Sequence, residues 1–355
     1  MKILASILIG FLVLGSQPNK DKSASLYVAN YENVLGTSLE LKFVSLSEAE
    51  AEKAETAALA EINRLSAIFS AYNANSEFSK WMTNDLHKPI KVSKELFYMF
   101  QLFEQWEQRT GGALDASAAV ATNLWKEAAK NQQKPSKAAL RAATAIMGQK
   151  HFLLNESDLT VTRLTNAPLV MNSFTKSYIL DLACNAALGS ANISSAVVNI
   201  GGDLIVKGET VDLVKVTNPL ANAENDDPLD QLLVQNKAIA TSGNYRRGEQ
   251  IGTHWYSHIV DPRTAKPVDG IISATVVANN ATDAGALATA FNILSVKESK
   301  ALAETVEDAE YLIITATGKR VESKGWKKLL DPNSRLSKEV SKPIYTNAEK
   351  QWDPK

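Results

Sequence analysis

The first patterned stretch of the chain alternates between polar and apolar residues and then changes to helical spacing. Residues 38–43 alternate, which predicts the second strand of a pair covering 27–44. Ser47 and Glu50 have the spacing of a helix N-terminal capping box. The folded part therefore begins with a strand pair and a long helix. The apolar face of that helix carries Leu59, Ile62, Leu65 and Phe69.

Further along, short apolar runs alternate with fewer helical segments. Ser93 predicts the start of a helix that stops at Gly111 and Gly112. Residues 126–150 are rich in Lys, Ala and Gln and predict an exposed helical excursion. Strands outnumber the helices that could cross between parallel strands, which favours the α+β class with antiparallel sheets flanked by helices. The remaining predicted segments are a hairpin over 152–164, helices over 173–188 and 284–294, and strands over 196–200, 204–206, 211–216, 271–278 and 311–315.

The N-terminus has the pattern of a targeting segment. Lys2 is followed by an apolar run over 3–15, which is too short to span a bilayer comfortably but suits a signal peptide. The alternative is an uncleaved anchor. No cysteine lies near this run, so we expect no lipid-anchored cysteine, and the single Cys184 excludes an intrachain disulfide and is expected to be a core thiol. We therefore predict export to a bacterial periplasm.

Bulk composition narrows the class of protein. The chain has 355 residues, of which 45% are hydrophobic, and its net charge is −1. A core of ordinary size is therefore available, and nothing indicates a nucleic-acid partner, which would favour a basic surface. We divide the chain into a leader over 1–25, one folded domain over 26–330 and a tail over 331–355.

Polar groups of several chemical types are concentrated in residues 256–264, just after a second polar run over 241–246. An imidazole, a carboxylate, a guanidinium and hydroxyls in neighbouring segments predict a site for a phosphate-bearing ligand. A solvated polar loop is the alternative. His254 and His258 are four apart in a predicted strand, which is poor spacing for a metal pair, so His258 is interpreted as a general base or phosphate donor.

Three weaker signals each have a plain structural alternative. Gly201-Gly202-Asp203 could offer backbone N–H groups to phosphate or could form an ordinary β-turn. Thr175 and Lys176 at a helix start could attract an anion, or Lys176 could be a surface residue. Asp283 could bind a hard cation, although a helix N-cap is the favoured interpretation from the residues alone.

Taken in order, these segments resemble motifs of the ApbE family, the FAD:protein FMN transferases of the bacterial periplasm and membrane surface. The resemblance covers roughly residues 34–320. The family pattern Gly-Gly-Ile-Ala-Lys-Gly-Tyr matches residues 172–178. The other similar segments are Leu35-Gly36-Thr37, the Ser70 to Glu77 loop, the Thr110 to Ser117 segment, Gly201-Gly202-Asp203, Thr241-Ser242-Gly243 and the Ser257 to Thr264 segment.

The resemblance implies a cleft between two lobes that binds FAD, with Mg²⁺ on the pyrophosphate. A hydroxyl of an acceptor flavoprotein attacks the FMN-side phosphorus and AMP leaves. Peripheral membrane association is compatible with this role. The implied catalytic residues are His258 and Asp283, and the implied metal ligands are Thr175, Asp283 and Thr289. The implied FAD contacts are Leu35, Tyr72 (by stacking), Ala113, Leu114, Asp115 (by hydrogen bonding), Asn172, Lys176, Tyr178, Gly201, Gly202, Asp203, Ser242, Gly243, His258 and Ile259.

The chain departs from the family at the helix expected to hold the metal. The family pattern Ala-Asp-Ala-Leu-Ala-Thr corresponds to residues 284–289, so Gly285 stands at the carboxylate position. Asp283 lies two residues earlier, about 200° around a regular helix. We expect Asp283 to compensate, which requires the helix to begin after it. Two alternative functions remain, an FAD-binding protein with an impaired metal site and a hydrolase that splits FAD into FMN and AMP.

Overall fold

The computed structural model describes residues 24–221 and 227–333. Residues 1–23 of the predicted leader, residues 222–226 and residues 334–355 of the predicted tail lie outside the described residues. The predicted elements are all found, with shifted boundaries. In chain order the strands are β1 (Ser25–Val34), β2 (Thr37–Ser45), β3 (Pro89–Lys91), β4 (Phe152–Asn155), β5 (Thr160–Arg163), β6 (Ile193–Ile200), β7 (Asp203–Gly208), β8 (Asp212–Val216), β9 (Asp230–Val234), β10 (Lys237–Gly243), β11 (Gly248–Ile251), β12 (His254–Ser257), β13 (Val260–Asp261), β14 (Lys266–Pro267), β15 (Ile271–Ala278), β16 (Glu310–Thr315) and β17 (Arg320–Glu322).

Most helices begin at a side chain that accepts a hydrogen bond from the first turn. Serine hydroxyls do this at five helix starts. The predicted box at Ser47 is half formed, because Glu50 accepts instead from the Asn192 N–H at 2.7 Å. The helices are α1 (Glu48–Phe69), α2 (Glu77–Met82), α3 (Lys94–Arg109), α4 (Ala119–Lys130), α5 (Lys137–Met147), α6 (Thr175–Ser190), α7 (Ala281–Ile293), α8 (Val296–Ala303) and α9 (Trp326–Leu329), with a 3₁₀ turn over Ala116–Ala118 before α4.

One eight-stranded sheet forms the centre of the fold, in the order β1-β2-β6-β7-β10-β15-β16-β17. Every neighbouring pair in it is antiparallel. Helices cover one face, with α1 against α6 and α7 against β10 and β15. The predicted α+β class with antiparallel sheets and flanking helices is confirmed. Small residues on α6, including the buried Cys184, let it lie close to the sheet. Burial raises the pKa of that thiol to about 12, as expected of a core cysteine.

The other face of the sheet has its own apolar cluster, covered by the β8–β9 ribbon and α9. Its polar centre is Asp230, which is buried. Asp230 accepts from Arg320 Nη1 at 3.0 Å and from the Trp326 indole N–H at 2.7 Å. Two partners satisfy the carboxylate, which is the condition for burying a charge.

Residues 126–150 are helical and mostly exposed, as predicted, with a few buried side chains that attach them to the domain. Trp125, Ala143 and Met147 are buried in a third apolar cluster formed by α4, α5 and the segment over 251–265. The Trp125 indole donates to the Ala265 carbonyl at 2.8 Å, which fixes the polar segment after β12 against α4. In the part of the chain that is described, no helix is both long enough and apolar enough to cross a membrane.

Candidate functional site

The strand register places three of the motif segments at one end of the central sheet. Leu39 pairs with Ile200 and Ile200 pairs with Asp203, so the Leu35-Gly36-Thr37 turn lies beside the turn between β6 and β7. Ile239 pairs with Leu204, which brings the end of β10 to the same place. Segments that are about 200 residues apart in the sequence therefore lie at the same end of the sheet. The order of the motifs along the chain does not predict this arrangement.

Gly201 and Gly202 form a tight hairpin turn. Both have positive φ, +64° and +97°, which a two-residue hairpin of this kind requires. The N–H of Gly201 donates to the Ser38 carbonyl at 3.0 Å, and the N–H of Gly202 donates to Asn199 Oδ1 at 3.0 Å. The idea that these N–H groups are open to phosphate is wrong, and the β-turn interpretation is right. The open space above Gly202 still allows a ligand to approach the backbone.

Asp203 and Lys176 bring opposite charges together at this turn. Burial raises the pKa of Asp203 to about 6, although the nearby Lys176 ammonium and the Thr241 N–H, which donates to Asp203 Oδ1 at 3.1 Å, both oppose the rise. Lys176 lies in the first turn of α6. A positive charge and a helix N-terminus therefore face the sheet end where the three turns meet, which favours an anionic ligand.

Tyr72 and Asn172 come together although 100 residues separate them. Asn172 Nδ2 donates to the Tyr72 hydroxyl at 3.0 Å. The Tyr72 side chain is 86% exposed, so its ring is free to stack on a planar ligand. Tyr178 has a different environment. Its ring packs 5.8 Å from the rings of Phe69 and Tyr98, and burial raises its pKa to about 12.

The segment after α3 contributes through its backbone and one carboxylate. The side chains of Ala113 and Leu114 are buried in the core, so only their backbone could contact a ligand. Asp115 Oδ1 accepts from the Ser117 N–H at 2.6 Å and its hydroxyl at 2.7 Å. A methyl group on Gly112 would lie 3.7 Å from Arg263 Cγ, so this segment borders the polar run after β12.

His258 is held in one tautomer. Its Nδ1 lies 2.9 Å from the Arg247 carbonyl, to which it can only donate, so Nε2 of the neutral ring carries the lone pair. The residue reaches the surface, but neighbouring groups desolvate the imidazolium and lower its pKa, and the Arg247 charge acts in the same direction. A neutral imidazole at neutral pH can accept a proton. Ile259 is fixed by its N–H, which donates to Ser257 Oγ at 3.0 Å.

The end of β10 is tied to α7. Asn292 Nδ2 donates to the Ser242 carbonyl at 2.9 Å, and Asn244 N–H donates to the Ile272 carbonyl at 3.0 Å just beyond Gly243. The Ser242 hydroxyl and the Gly243 backbone therefore have a fixed place beside the helix that was expected to hold a metal.

Asp283 does not lie on a loop before that helix. α7 begins at Ala281, and Asn280 Oδ1 accepts from the Asp283 N–H at 2.8 Å. Asn280 Nδ2 donates in turn to Asp283 Oδ2 at 2.8 Å. The interpretation of Asp283 as the helix N-cap is wrong, because Asn280 is the N-cap and Asp283 lies in the first turn of α7. The condition for compensation is not met, so our expectation that Asp283 replaces a carboxylate at Gly285 is wrong.

The other predicted metal ligands are also engaged within the protein. The Thr175 hydroxyl donates to the Met171 carbonyl, and the Thr289 hydroxyl donates to the Ser173 carbonyl at 3.1 Å. Within residues 24–221 and 227–333, no cluster of three or more His, Cys, Asp or Glu side chains could hold a metal ion. Neither His254 nor His258 belongs to such a cluster within these residues. This donor set does not fit Mg²⁺, which takes carboxylate oxygens.

Two features of the site were not found from the sequence. Asp181 accepts from the Ala281 N–H at 2.8 Å, so a carboxylate on α6 caps α7. A cavity of about 290 Å³ opens beside Asp115, and its wall includes Glu107 and the buried His151, whose Nε2 has no hydrogen-bond partner. Both depend on contacts between segments more than 30 residues apart, for which periodicity carries no signal.

Comparison with known proteins agrees with this arrangement. The ApbE family model matches residues 35–313. The FAD:protein FMN transferase of Vibrio cholerae is 27% identical over 291 residues, covering 79% of this chain and 85% of that protein. That of Klebsiella pneumoniae is 26% identical over 293 residues, covering 81% and 89%.

Solved structures show the same fold. The ApbE protein of Thermotoga maritima superposes with a TM-score of 0.76 at 25% identity, over 86% of this chain and all of that one. The flavin transferase ApbE of Vibrio cholerae has a TM-score of 0.71 at 22% identity, also over 86% of this chain and 100% of that chain. The family model spans well over half of the chain, and the fold is shared with these structures. The chain belongs to the ApbE family.

Proposed function

We propose that this protein is an FAD:protein FMN transferase, which moves FMN from FAD to a threonine or serine hydroxyl of an acceptor flavoprotein and releases AMP. The observation that carries the proposal is the meeting of the Leu35, Gly201 and Ser242 segments at one end of the sheet, facing Lys176. The curated relatives named above supply the activity.

The residues divide into two groups by the part of FAD that each could hold. The exposed Tyr72 ring suits stacking against a planar ring system, and Asn172 fixes its hydroxyl. Asp115 can accept from a ring N–H or amino group. Lys176 and the N-terminus of α6 suit the pyrophosphate, whose negative charge they partly neutralise.

The chemistry is a displacement at phosphorus. The acceptor hydroxyl oxygen forms a bond to the FMN-side phosphorus, and the bond from that phosphorus to the bridging oxygen breaks, so AMP leaves with the bridging oxygen. The hydroxyl proton needs a base, and His258 Nε2 supplies one because Nδ1 is committed to the Arg247 carbonyl. Lys176 stabilises the charge that develops on the leaving phosphate.

Mg²⁺ has no place in this scheme, because the carboxylate that would hold it is missing at Gly285. That observation favours a second candidate function, a flavin-binding protein of the same fold that retains intact FAD. The two differ only in turnover, since both need the Tyr72, Asp115 and Lys176 contacts.

An assay for AMP separates the candidates. Purified protein is incubated with FAD, with and without a periplasmic flavoprotein prepared without its covalent FMN, and AMP is quantified. AMP that depends on the acceptor supports the transferase. AMP without an acceptor indicates the hydrolase, and bound but intact FAD in both samples indicates the flavin-binding protein.

The place of the reaction is also a proposal. The run over 3–15 after Lys2 supports export to the periplasm, where acceptor flavoproteins of membrane redox systems would be reached from the membrane surface. Intact-mass measurement of the protein from its native host tests this. A mass that still includes residues 1–16, in a cytosolic fraction, would contradict export.

A further inference from the structure

Ser177 of α6 and Gly285 of α7 lie against each other where the two helices meet. A Cβ atom placed on Gly285 would lie 2.2 Å from Ser177 Oγ, 2.9 Å from Ser177 Cβ and 3.6 Å from Phe174 Cβ. Ser177 is 2% exposed and Gly285 is buried, so neither residue can turn towards solvent. A side chain at position 285 therefore requires Ser177 to change rotamer and the two helices to move slightly apart.

The same two positions differ together from the family pattern. That pattern has glycine at the position of Ser177 and aspartate at the position of Gly285. In this chain α6 carries the side chain and α7 carries the glycine, which is the reverse of the family pattern. In this chain the Ser177 side chain fills the space beside Gly285. The reversal also removes the carboxylate from the part of α7 that faces the Lys176 end of α6.

The neighbouring polar groups do not restore a cation site. The carboxylate of Asp283 is held by Asn280, and the hydroxyls of Thr175 and Thr289 are donated to backbone carbonyls. The Lys176 ammonium, in the first turn of α6, lies next to the contact in sequence and faces Asp203 at the end of the sheet. A positive side chain can balance a pyrophosphate where a cation has no carboxylate to hold it.

We infer that this protein binds FAD without a divalent cation, and that the Ser177–Gly285 contact is the feature that determines this. The inference rests on the FAD site of the proposed function and makes it more specific. Lys176 and the α6 N-terminus take over the neutralisation of the pyrophosphate.

The direct test is a flavin-fluorescence titration of the wild-type chain with FAD in excess EDTA and again in millimolar MgCl₂. The dissociation constants should agree within about twofold. A dissociation constant at least about tenfold weaker in EDTA would overturn the inference while leaving FAD binding and the proposed function intact. Absence of FAD binding in both buffers would overturn the inference together with the proposed function. FAD binding in both buffers without transfer to an acceptor would support the inference and contradict the transferase.

Paired variants test the role of the contact itself. Gly285→Asp alone should lower the melting temperature, because the new side chain overlaps Ser177. Ser177→Gly with Gly285→Asp should recover most of that loss and should make FAD affinity at least about tenfold better in MgCl₂ than in EDTA. Ser177→Gly alone is the matched control and should stay insensitive to the cation. A double variant that is no more stable than Gly285→Asp, or that is stable yet indifferent to Mg²⁺, would contradict the role of the contact.

Discussion

Asn172 Nδ2 donates a hydrogen bond of 3.0 Å to the Tyr72 hydroxyl, which joins the loop after α1 to the segment before α6. The bond holds a tyrosine whose ring is otherwise exposed. An exposed aromatic ring that is fixed in place is a suitable stacking surface, because little side-chain entropy is lost when a ligand binds. The FAD affinity of Tyr72 variants is therefore a direct test of the proposed flavin contact.

Replacing Tyr72 should weaken FAD binding mainly through loss of the ring. Tyr72→Ala should raise the FAD dissociation constant by about tenfold, since stacking of a ring on an aromatic side chain contributes about 1–3 kcal/mol. Tyr72→Phe keeps the ring and is the matched control, with an expected change below about threefold. Fluorescence titration measures both. Equal losses in the two variants would show that the hydroxyl, and not the ring, is what matters.

Substitution of His258 should affect turnover more than affinity. His258→Gln should lower the rate of FMN transfer by about 10²–10⁴-fold, the usual contribution of a general base. His254→Gln is the control, because His254 lies on β12 with its Nδ1 near only the Thr253 hydroxyl. Comparable rate losses in both variants would argue against a specific role for His258.

The pH dependence of the wild-type rate has a definite sign. Desolvation lowers the pKa of His258 below its usual value of 6.5, so the basic form needed for proton transfer persists into mildly acidic solution. The acidic limb of the rate profile should therefore fall with a midpoint below 6.5. The limb should disappear in His258→Gln. A midpoint above that value, or a limb unchanged in the variant, would remove His258 as the titrating base.

Asp203 should make the protein less stable as pH rises through the mildly acidic range. Its folded pKa of about 6 is above the usual value of 3.8, so the folded state binds the proton more tightly than the unfolded state. The contribution to stability is then present below pH 3.8 and is lost as pH rises towards 6. Urea unfolding measures the unfolding free energies of the wild type and Asp203→Asn across this range. As pH rises, the wild type should lose stability relative to the variant. A constant difference would contradict the raised pKa.

Substitutions on the second face of the sheet should change the stability of the protein without changing its FAD affinity. Asp230→Ala removes the acceptor of the buried Trp326 indole and one of the two carboxylates that bind Arg320, and should cost about 1–3 kcal/mol of unfolding free energy. Glu127→Ala, which removes an exposed ion pair with Lys130, should cost at most about 1 kcal/mol. FAD affinity of the folded protein should not change in either. A weaker affinity in Asp230→Ala would mean that the two faces are coupled.

Local patterns were sufficient to predict most of the elements of this fold. Alternation over 38–43 located β2, and serines ahead of apolar runs located α1 and α3, because strand and helix periodicity is set by neighbours in sequence. Residues 126–150 are mostly exposed, as their composition predicted, but the burial of Trp125 just before them depends on Tyr256 and Ala265, more than 100 residues later. The number of polar residues in a segment does not reveal such a partner.

The motif positions of the site were predicted, but their contacts were not. The turn at Gly201 was recognised, whereas the use of its N–H by the Ser38 carbonyl required the β2–β6 register. The loss of a carboxylate at Gly285 was visible in the sequence. Its physical reason, the contact with Ser177, joins two helices and appears only once they are packed.

The central claim is tested most directly by the intact mass of an acceptor flavoprotein after incubation with this protein and FAD. The account predicts an added FMN on the acceptor, with AMP formed in equal amount, and no addition when the target threonine or serine of the acceptor is changed to alanine. Wild-type acceptor that keeps its original mass, while the protein remains saturated with intact FAD, would contradict the assignment as an FMN transferase.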